Sequence, residues 1–216
     1  MKKLMTSVLT GIFAVSLVAC SSNENIRTTK ENTDFSNSNV LIAYFAEAEN
    51  SEVDVVSSAS VVTIDGEAKG RIRALADMIQ SKTGGDLFSI QTSVKYPADI
   101  GALIDYADEE QAENIRPELT SSIENLDQYD VIFVGYPNWW YDMPMVMYSF
   151  FDEYDFSGKT IIPFNSHNGS QFSSTIQTIA ELEPNATVIE DGFTVNERDV
   201  KNAQSDISIW LDSLGF

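Results

Sequence analysis

From Val40 onward, short apolar runs alternate with stretches of helical period, and few folds accommodate that alternation. The runs span 40–45, 86–91, 130–136, 159–164 and 186–190. They read as strands buried on both faces. Between them lie apolar stripes spaced i, i+3, i+4 and i+7. One is Ile72, Leu75, Ala76 and Ile79, and the next is Ile100, Leu103, Ile104 and Ala107. Another is Phe172, Ile176, Ile179 and Ala180. A last stripe runs from Val200 through Trp210 to Leu214. The stretch 143–154 is apolar all round.

Turn signals fall where such elements end. Gly84-Gly85 closes the first helix. Asp99 caps the second. Ser157-Gly158 and Pro184-Asn185 precede the fourth and fifth strands. Five strands alternating with five helices predict an α/β fold, three-layer and doubly wound. The expected sheet is five-stranded and parallel, in order 2-1-3-4-5, with ligands binding beyond the carboxyl ends of its strands. With 216 residues, 43% of them hydrophobic, the chain suffices for one such core. One piece does not fit. The first strand and first helix are joined by about twenty residues, where two to six are usual, so 47–67 is functional or an insertion.

The N-terminus precedes the fold. Lys2 and Lys3 lead into an apolar stretch ending Leu17-Val18-Ala19-Cys20. This resembles the bacterial lipobox, in which the Cys becomes the lipidated first residue of the mature protein. The expectation is a signal peptide over 1–19, a lipidated Cys20 opening a flexible tether over 20–39, and a domain over 40–216. The tether's reach is roughly 25 Å by flexible-coil scaling. The protein is therefore expected outside the cytoplasm, on a bacterial membrane, held through its lipid alone. Cys20 is the only Cys, so the mature chain has no disulfide and no Cys metal site. A net charge of −20 repels nucleic acid and favours cationic partners.

Three stretches carry a family resemblance. They are Val40-Leu41-Ile42-Ala43-Tyr44-Phe45, Gly135-Tyr136-Pro137-Asn138-Trp139-Trp140, and the run from Tyr154 through Ser157-Gly158-Lys159 to Phe164. They resemble the flavodoxin family, in particular its bacterial flavodoxin-like proteins with a Trp-Trp loop. The resemblance runs from about Val40 to Phe216. It implies noncovalent binding of flavin mononucleotide (FMN). The phosphate is expected at the loop after the first strand, and the ring between the loops after the third and fourth. Carried over by residue, the ring loops are Pro137, Asn138, Trp139, Trp140 and Tyr141, then Asn165, Ser166, His167, Asn168, Gly169 and Ser170, with Ser166, His167, Asn168 and Gly169 as the expected contacts.

The residue chemistry supports that placement. A flavin ring is flat and largely apolar, and aromatic side chains are its natural neighbours. One Trp is expected to anchor the helix that follows and the other to touch the ring, with Trp139 the expected ring contact. His167 is the only His and has no metal-ligand neighbours at ligand spacing, so no metal is expected. Its charge near neutral pH suits tuning a reduced flavin. Backbone N–H groups near Gly169 are candidates for the ring's pyrimidine oxygens.

The phosphate loop departs from the family pattern of Ser, Thr and Gly. Here it reads Ala46-Glu47-Ala48-Glu49-Asn50-Ser51. A carboxylate at 4 Å from a second like charge costs about 4 kcal/mol at an effective dielectric of 20. Either Glu47 and Glu49 face solvent while backbone groups over Ala46, Glu47, Ala48, Asn50 and Ser51 bind, or the site is rebuilt. Ser58, Ser60 and Arg71 are material for rebuilding. Lys69, Arg71 and Arg73 crowd the first helix's start, against its dipole. An anionic ligand or nearby carboxylates would explain them.

Asp105, Asp108, Glu109, Glu110 and Glu113 lie largely off the second helix's apolar stripe. They are expected to be solvated, and to suit the basic docking face of a redox partner. The first functional expectation is thus an FMN electron-transfer protein. Two alternatives stand beside it: an FMN-dependent NAD(P)H or quinone-type reductase, and a flavin-free binding module keeping the fold.

Overall fold

The computed structural model describes residues 26–27 and 34–216. The expected signal peptide, Cys20 and most of the tether lie outside the described residues. Strand β1 is the two-residue Ile26–Arg27. The central strands are β2 (Val40–Tyr44), β5 (Asp86–Ser89), β6 (Val131–Pro137), β7 (Thr160–His167) and β8 (Thr187–Ile189). All pair in parallel, in the spatial order β5-β2-β6-β7-β8, with β1 outside β8. That is the expected 2-1-3-4-5 order.

Helices cover both faces. They are α1 (Arg71–Thr83), α2 (Ile100–Ala112), α3 (Met145–Glu153), α4 (Thr175–Leu182) and α5 (Gln204–Leu214). The side-chain period of two in β2 divides the core. Val40, Ile42 and Tyr44 meet α1 and α5, whereas Leu41, Ala43 and Phe45 meet the cluster built on α2, α3 and α4. Gly84 ends α1 in the left-handed conformation, and the Asp99 carboxylate caps α2 through the Ala102 amide at 3.0 Å.

Three features depart from the sequence reading. First, packing begins before Val40. Phe35, inside the expected tether, is buried and stacks on Phe216 at 5.1 Å. Second, the long 47–67 connection has structure of its own. Single 3-10 turns at Glu47–Glu49 and Val55–Ser57 precede an antiparallel hairpin of β3 (Val61–Ile64) and β4 (Glu67–Gly70). Asp65 and Gly66 turn the hairpin with positive φ, as an Asp-Gly pair favours. Third, the fifth sheet position is divided. The chain leaves β8, bends, and returns as β9 (Phe193–Asn196) beside the carboxyl half of β7. The sequence reading contained no β9, and β9 is what delivers Glu197 to the rim.

Among the described residues no helix is long and apolar enough to cross a membrane.

Candidate functional site

A cavity of about 550 Å³ opens at the carboxyl edge of the sheet, beyond β6 and β7. One wall is the segment after β6: Pro137, Asn138, Trp139, Trp140 and Tyr141. The opposite wall is the end of β7 and its loop: Ser166, His167, Asn168, Gly169 and Ser170. Ile100, Leu103, Ile104 and Ala107 of α2 line one end. Ala59, Ser60, Arg71 and Glu197 are the remaining lining residues.

The aromatic wall is held in an unusual way. Trp139 and Asp142 exchange both backbone hydrogen bonds at 2.9 Å, enclosing a two-residue turn. The turn residues are Trp140 (φ +49°) and Tyr141 (φ +65°). Such a turn favours Asn and Gly, and a left-handed residue with a Cβ costs roughly 1–2 kcal/mol. The strain holds two large aromatics at the cavity mouth, where Trp140 is 45% and Tyr141 71% exposed. The Trp140 Nε1–H donates to the Ile104 carbonyl at 3.0 Å, tying the turn to α2. Trp139 packs edge-on against Phe45 (5.8 Å) and Tyr96 (5.5 Å). Both tryptophans line the cavity. Trp139 is the more deeply packed of the two, and Trp140 is the more exposed.

Asn138 lines the same wall. Its Nδ2 donates to the Gln171 carbonyl at 3.0 Å, while its Oδ1 is buried without a partner. A buried, unpaired acceptor is costly and suits a ligand N–H. His167 faces it from the other wall. Burial pushes its imidazole below the ordinary value, against a smaller opposite pull from Glu197. Its Nδ1 accepts from the Gly169 amide at 2.8 Å. Of the backbone N–H groups in this loop, that of Gly169 is thus engaged by the imidazole. Among the described residues no group of His, Cys, Asp or Glu is arranged to hold a metal ion.

The loop after β2 does not join the cavity. Ala46, Glu47, Ala48 and Asn50 are buried and are not among its lining residues. Asn50 is consumed internally, donating to the Ala46 and Ile90 carbonyls and accepting from the Thr92 amide. Ser51 Oγ donates to the Tyr96 carbonyl. Neither Glu47 nor Glu49 faces solvent as expected. Glu47 Oε2 accepts from the Ser58 hydroxyl and the Ser60 amide, and its Oε1 is buried without a partner. Burial raises its pKa. Glu49 accepts from Tyr44 and Ser89 and pairs with Arg73 at 3.5 Å. Of the residues nominated for phosphate, only Ser60 and Arg71 reach the cavity wall.

The cationic cluster is answered by carboxylates. Lys69 and Arg73 both pair with Asp77, at 2.9 and 2.7 Å. Arg71 pairs with Glu197 at 2.9 Å. On α2, Asp105, Asp108, Glu109 and Glu113 are exposed as expected, but Glu110 is buried. Sequence reasoning also missed Ile100 and Ile104 as cavity residues. Their apolar spacing reads as core, yet they are 57% and 45% exposed.

The sequence is matched by the family profile for flavodoxin over residues 60–214. The chain belongs to the flavodoxin family. Solved structures agree on the fold of this flavodoxin. A Bacteroides eggerthii protein classed as a flavoprotein is 25% identical, with a TM-score of 0.62 over 83% of this chain and 99% of its own. A similar protein of Bacteroides uniformis is 25% identical, with a TM-score of 0.56 over 76% of this flavodoxin and 96% of its own. A flavoprotein of Lactobacillus acidophilus, solved in complex with FMN, shares the fold at 18% identity and a TM-score of 0.56, covering 81% and 99%. No curated protein matches the sequence.

Proposed function

We propose that this flavodoxin binds one FMN in the cavity beyond β6 and β7 and serves as an electron-transfer protein outside the cytoplasm, anchored by lipid at Cys20. One observation carries the reading. A strained aromatic turn and the His167–Gly169 loop line one cavity, together with Asn138, whose Oδ1 is buried and unpaired. The Trp139–Asp142 backbone pair and the Trp140–Ile104 hydrogen bond hold the turn, yet they do not call for two large aromatic side chains at exposed left-handed positions. A flat apolar ligand does.

The residues fit an isoalloxazine ring. Trp140 and Tyr141 would cover a face of it, Asn138 Oδ1 would accept from a ring N–H, and the 167–169 loop would border its edge. Bound FMN supplies reversible electron uptake and release. The protein supplies orientation, partial exclusion of water and an acidic surround that disfavours added negative charge. Asp105, Asp108, Glu109 and Glu113 lie on the helix bordering the cavity, so a basic partner would dock near the ring and be steered there.

The test is spectroscopic. Purified protein titrated with FMN should bind one equivalent, with flavin fluorescence quenched by the adjacent tryptophan. Free-flavin fluorescence persisting at micromolar protein would refute the reading. Anchoring is tested separately. Cys20→Ser should release the protein from the membrane fraction, and unchanged partitioning would remove the lipid from the proposal.

A reductase reading has one specific support. Ile100 and Ile104 leave an apolar, exposed border on the cavity that a quinone could use. Steady NAD(P)H oxidation by the holoprotein, without an added reductase, would favour it over the carrier.

A further inference from the structure

The cavity has two chemically different ends. Trp140, Tyr141, Ile100 and Ile104 form an apolar one. Ser60, Arg71 and Glu197 form a polar one, and among the described residues Arg71 is the only Lys or Arg in the lining. We propose that Arg71 and Glu197 form an exchangeable ion pair, and that a flavin 5′-phosphate binds by taking the Arg71 guanidinium from Glu197. This deepens the flavin reading above and rests on it.

The loop after β2 cannot take the phosphate as it stands. Its nearby donors, the Ser58 hydroxyl and the Ser60 amide, are spent on the Glu47 carboxyl. The Arg71 amide, first in α1, is spent on the Ser60 carbonyl at 3.0 Å. A dianion entering there would meet a buried carboxyl group in place of hydroxyls. The Arg71 side chain is the cationic donor on the cavity wall, and its one ion-pair partner can be exchanged.

The pair is built to open. It is a single contact, Nη1 to Oε2 at 2.9 Å, on a side chain with five N–H donors. The side chains of Arg71 and Glu197 are 22% and 30% exposed. Such a partly solvated pair contributes little on its own, whereas a phosphate accepts two parallel charge-assisted bonds from one guanidinium. Exchange puts a second negative charge on the cation and leaves Glu197 room to turn to water. The pair is not needed to hold its two segments. The Glu197 amide already donates to the His167 carbonyl at 2.8 Å, and the hairpin fixes Arg71 by register. Glu197 occupies the cation while no anion is bound, and so sets how strongly FMN is preferred over riboflavin, which carries the same ring and no phosphate.

The test titrates the full chain with FMN and with riboflavin, in parallel, for the unmodified protein, Glu197→Gln and Arg71→Gln. The readout is the ratio of the two affinities. Glu197→Gln should raise the preference for FMN several-fold. Arg71→Gln should lower it by about tenfold or more, the worth of a charged hydrogen bond. Using a ratio keeps the outcome independent of any general loss of stability in a variant. If both flavins bind and neither substitution moves the ratio, the exchange is refuted while the ring site stands. If the unmodified protein binds neither flavin, the flavin reading fails and the exchange with it.

Discussion

Tyr96 donates its hydroxyl to the carboxyl of Glu110 at 3.2 Å, inside the core and directly behind Trp139. A carboxyl group in that position resists ionisation. Burial raises Glu110 to about 7, against the smaller opposing effects of Tyr96 and the Met145 amide. Burial raises Glu183 to about 7 as well.

These shifts give a signed pH dependence. The unfolded chain releases both protons near the ordinary value of 4.5, while the folded chain keeps them to about 7. The unfolded state therefore binds fewer protons across that window, and stability falls as pH rises through it. Thermal unfolding should show Tm declining from about pH 5 to about pH 7.5 and levelling beyond. Glu110→Gln, which keeps a neutral side chain, should flatten the decline. An identical slope in the variant would remove Glu110 as its source.

The turn at Trp140-Tyr141 separates stability from binding. Replacing both with Asn-Gly should relieve left-handed strain and stabilise the fold by roughly 1–2 kcal/mol in urea unfolding. The same change should weaken flavin binding and abolish its fluorescence quenching. A variant that loses stability and keeps flavin affinity would contradict the role given to the strain.

Trp139→Ala should behave in the opposite manner. It empties the edge contacts with Phe45 and Tyr96, and should cost about 3 kcal/mol or more by chemical denaturation. Less than about 1 kcal/mol would mean the neighbouring side chains collapse into the space.

Gly135 in β6 has no room for a side chain. A Cβ there would meet the Phe164 ring of β7 at 2.1 Å. Phe164 is fully buried and cannot give way. Gly135→Ala should cost about 2–3 kcal/mol from overpacking, with the denaturation midpoint moving and the slope unchanged.

Phe35 packs into the domain ahead of its first long strand. Phe35→Ala should cost roughly 3 kcal/mol, because it removes a buried ring stacked on Phe216. A change within about 0.5 kcal/mol would return residues 34–39 to the tether.

The sheet was legible because each central strand is a near-continuous apolar run and each helix a stripe. Those periods follow from backbone geometry and need no partner to be read. The hairpin of β3 and β4 was legible in principle through Asp65-Gly66. Each of its strands is only four residues long, and β4 (Glu67–Gly70) has no apolar run, so the pair does not stand out from the connection around it. The short β9 escaped for the same reason, and Glu197 with it.

By itself the sequence determined the order of elements, the edge at which the cavity opens, and the aromatic segment placed there. These depend on local pattern and topology. The tertiary structure decided which polar groups remain free. It turned Glu47 inward onto Ser58 and Ser60, buried Glu110 against Tyr96, exposed Ile100 and Ile104 on an apolar stripe, and set Glu197 against Arg71 from 126 residues away. A side chain's hydrogen-bond partners are chosen by whatever the fold brings within about 3 Å, and no local spacing encodes that choice.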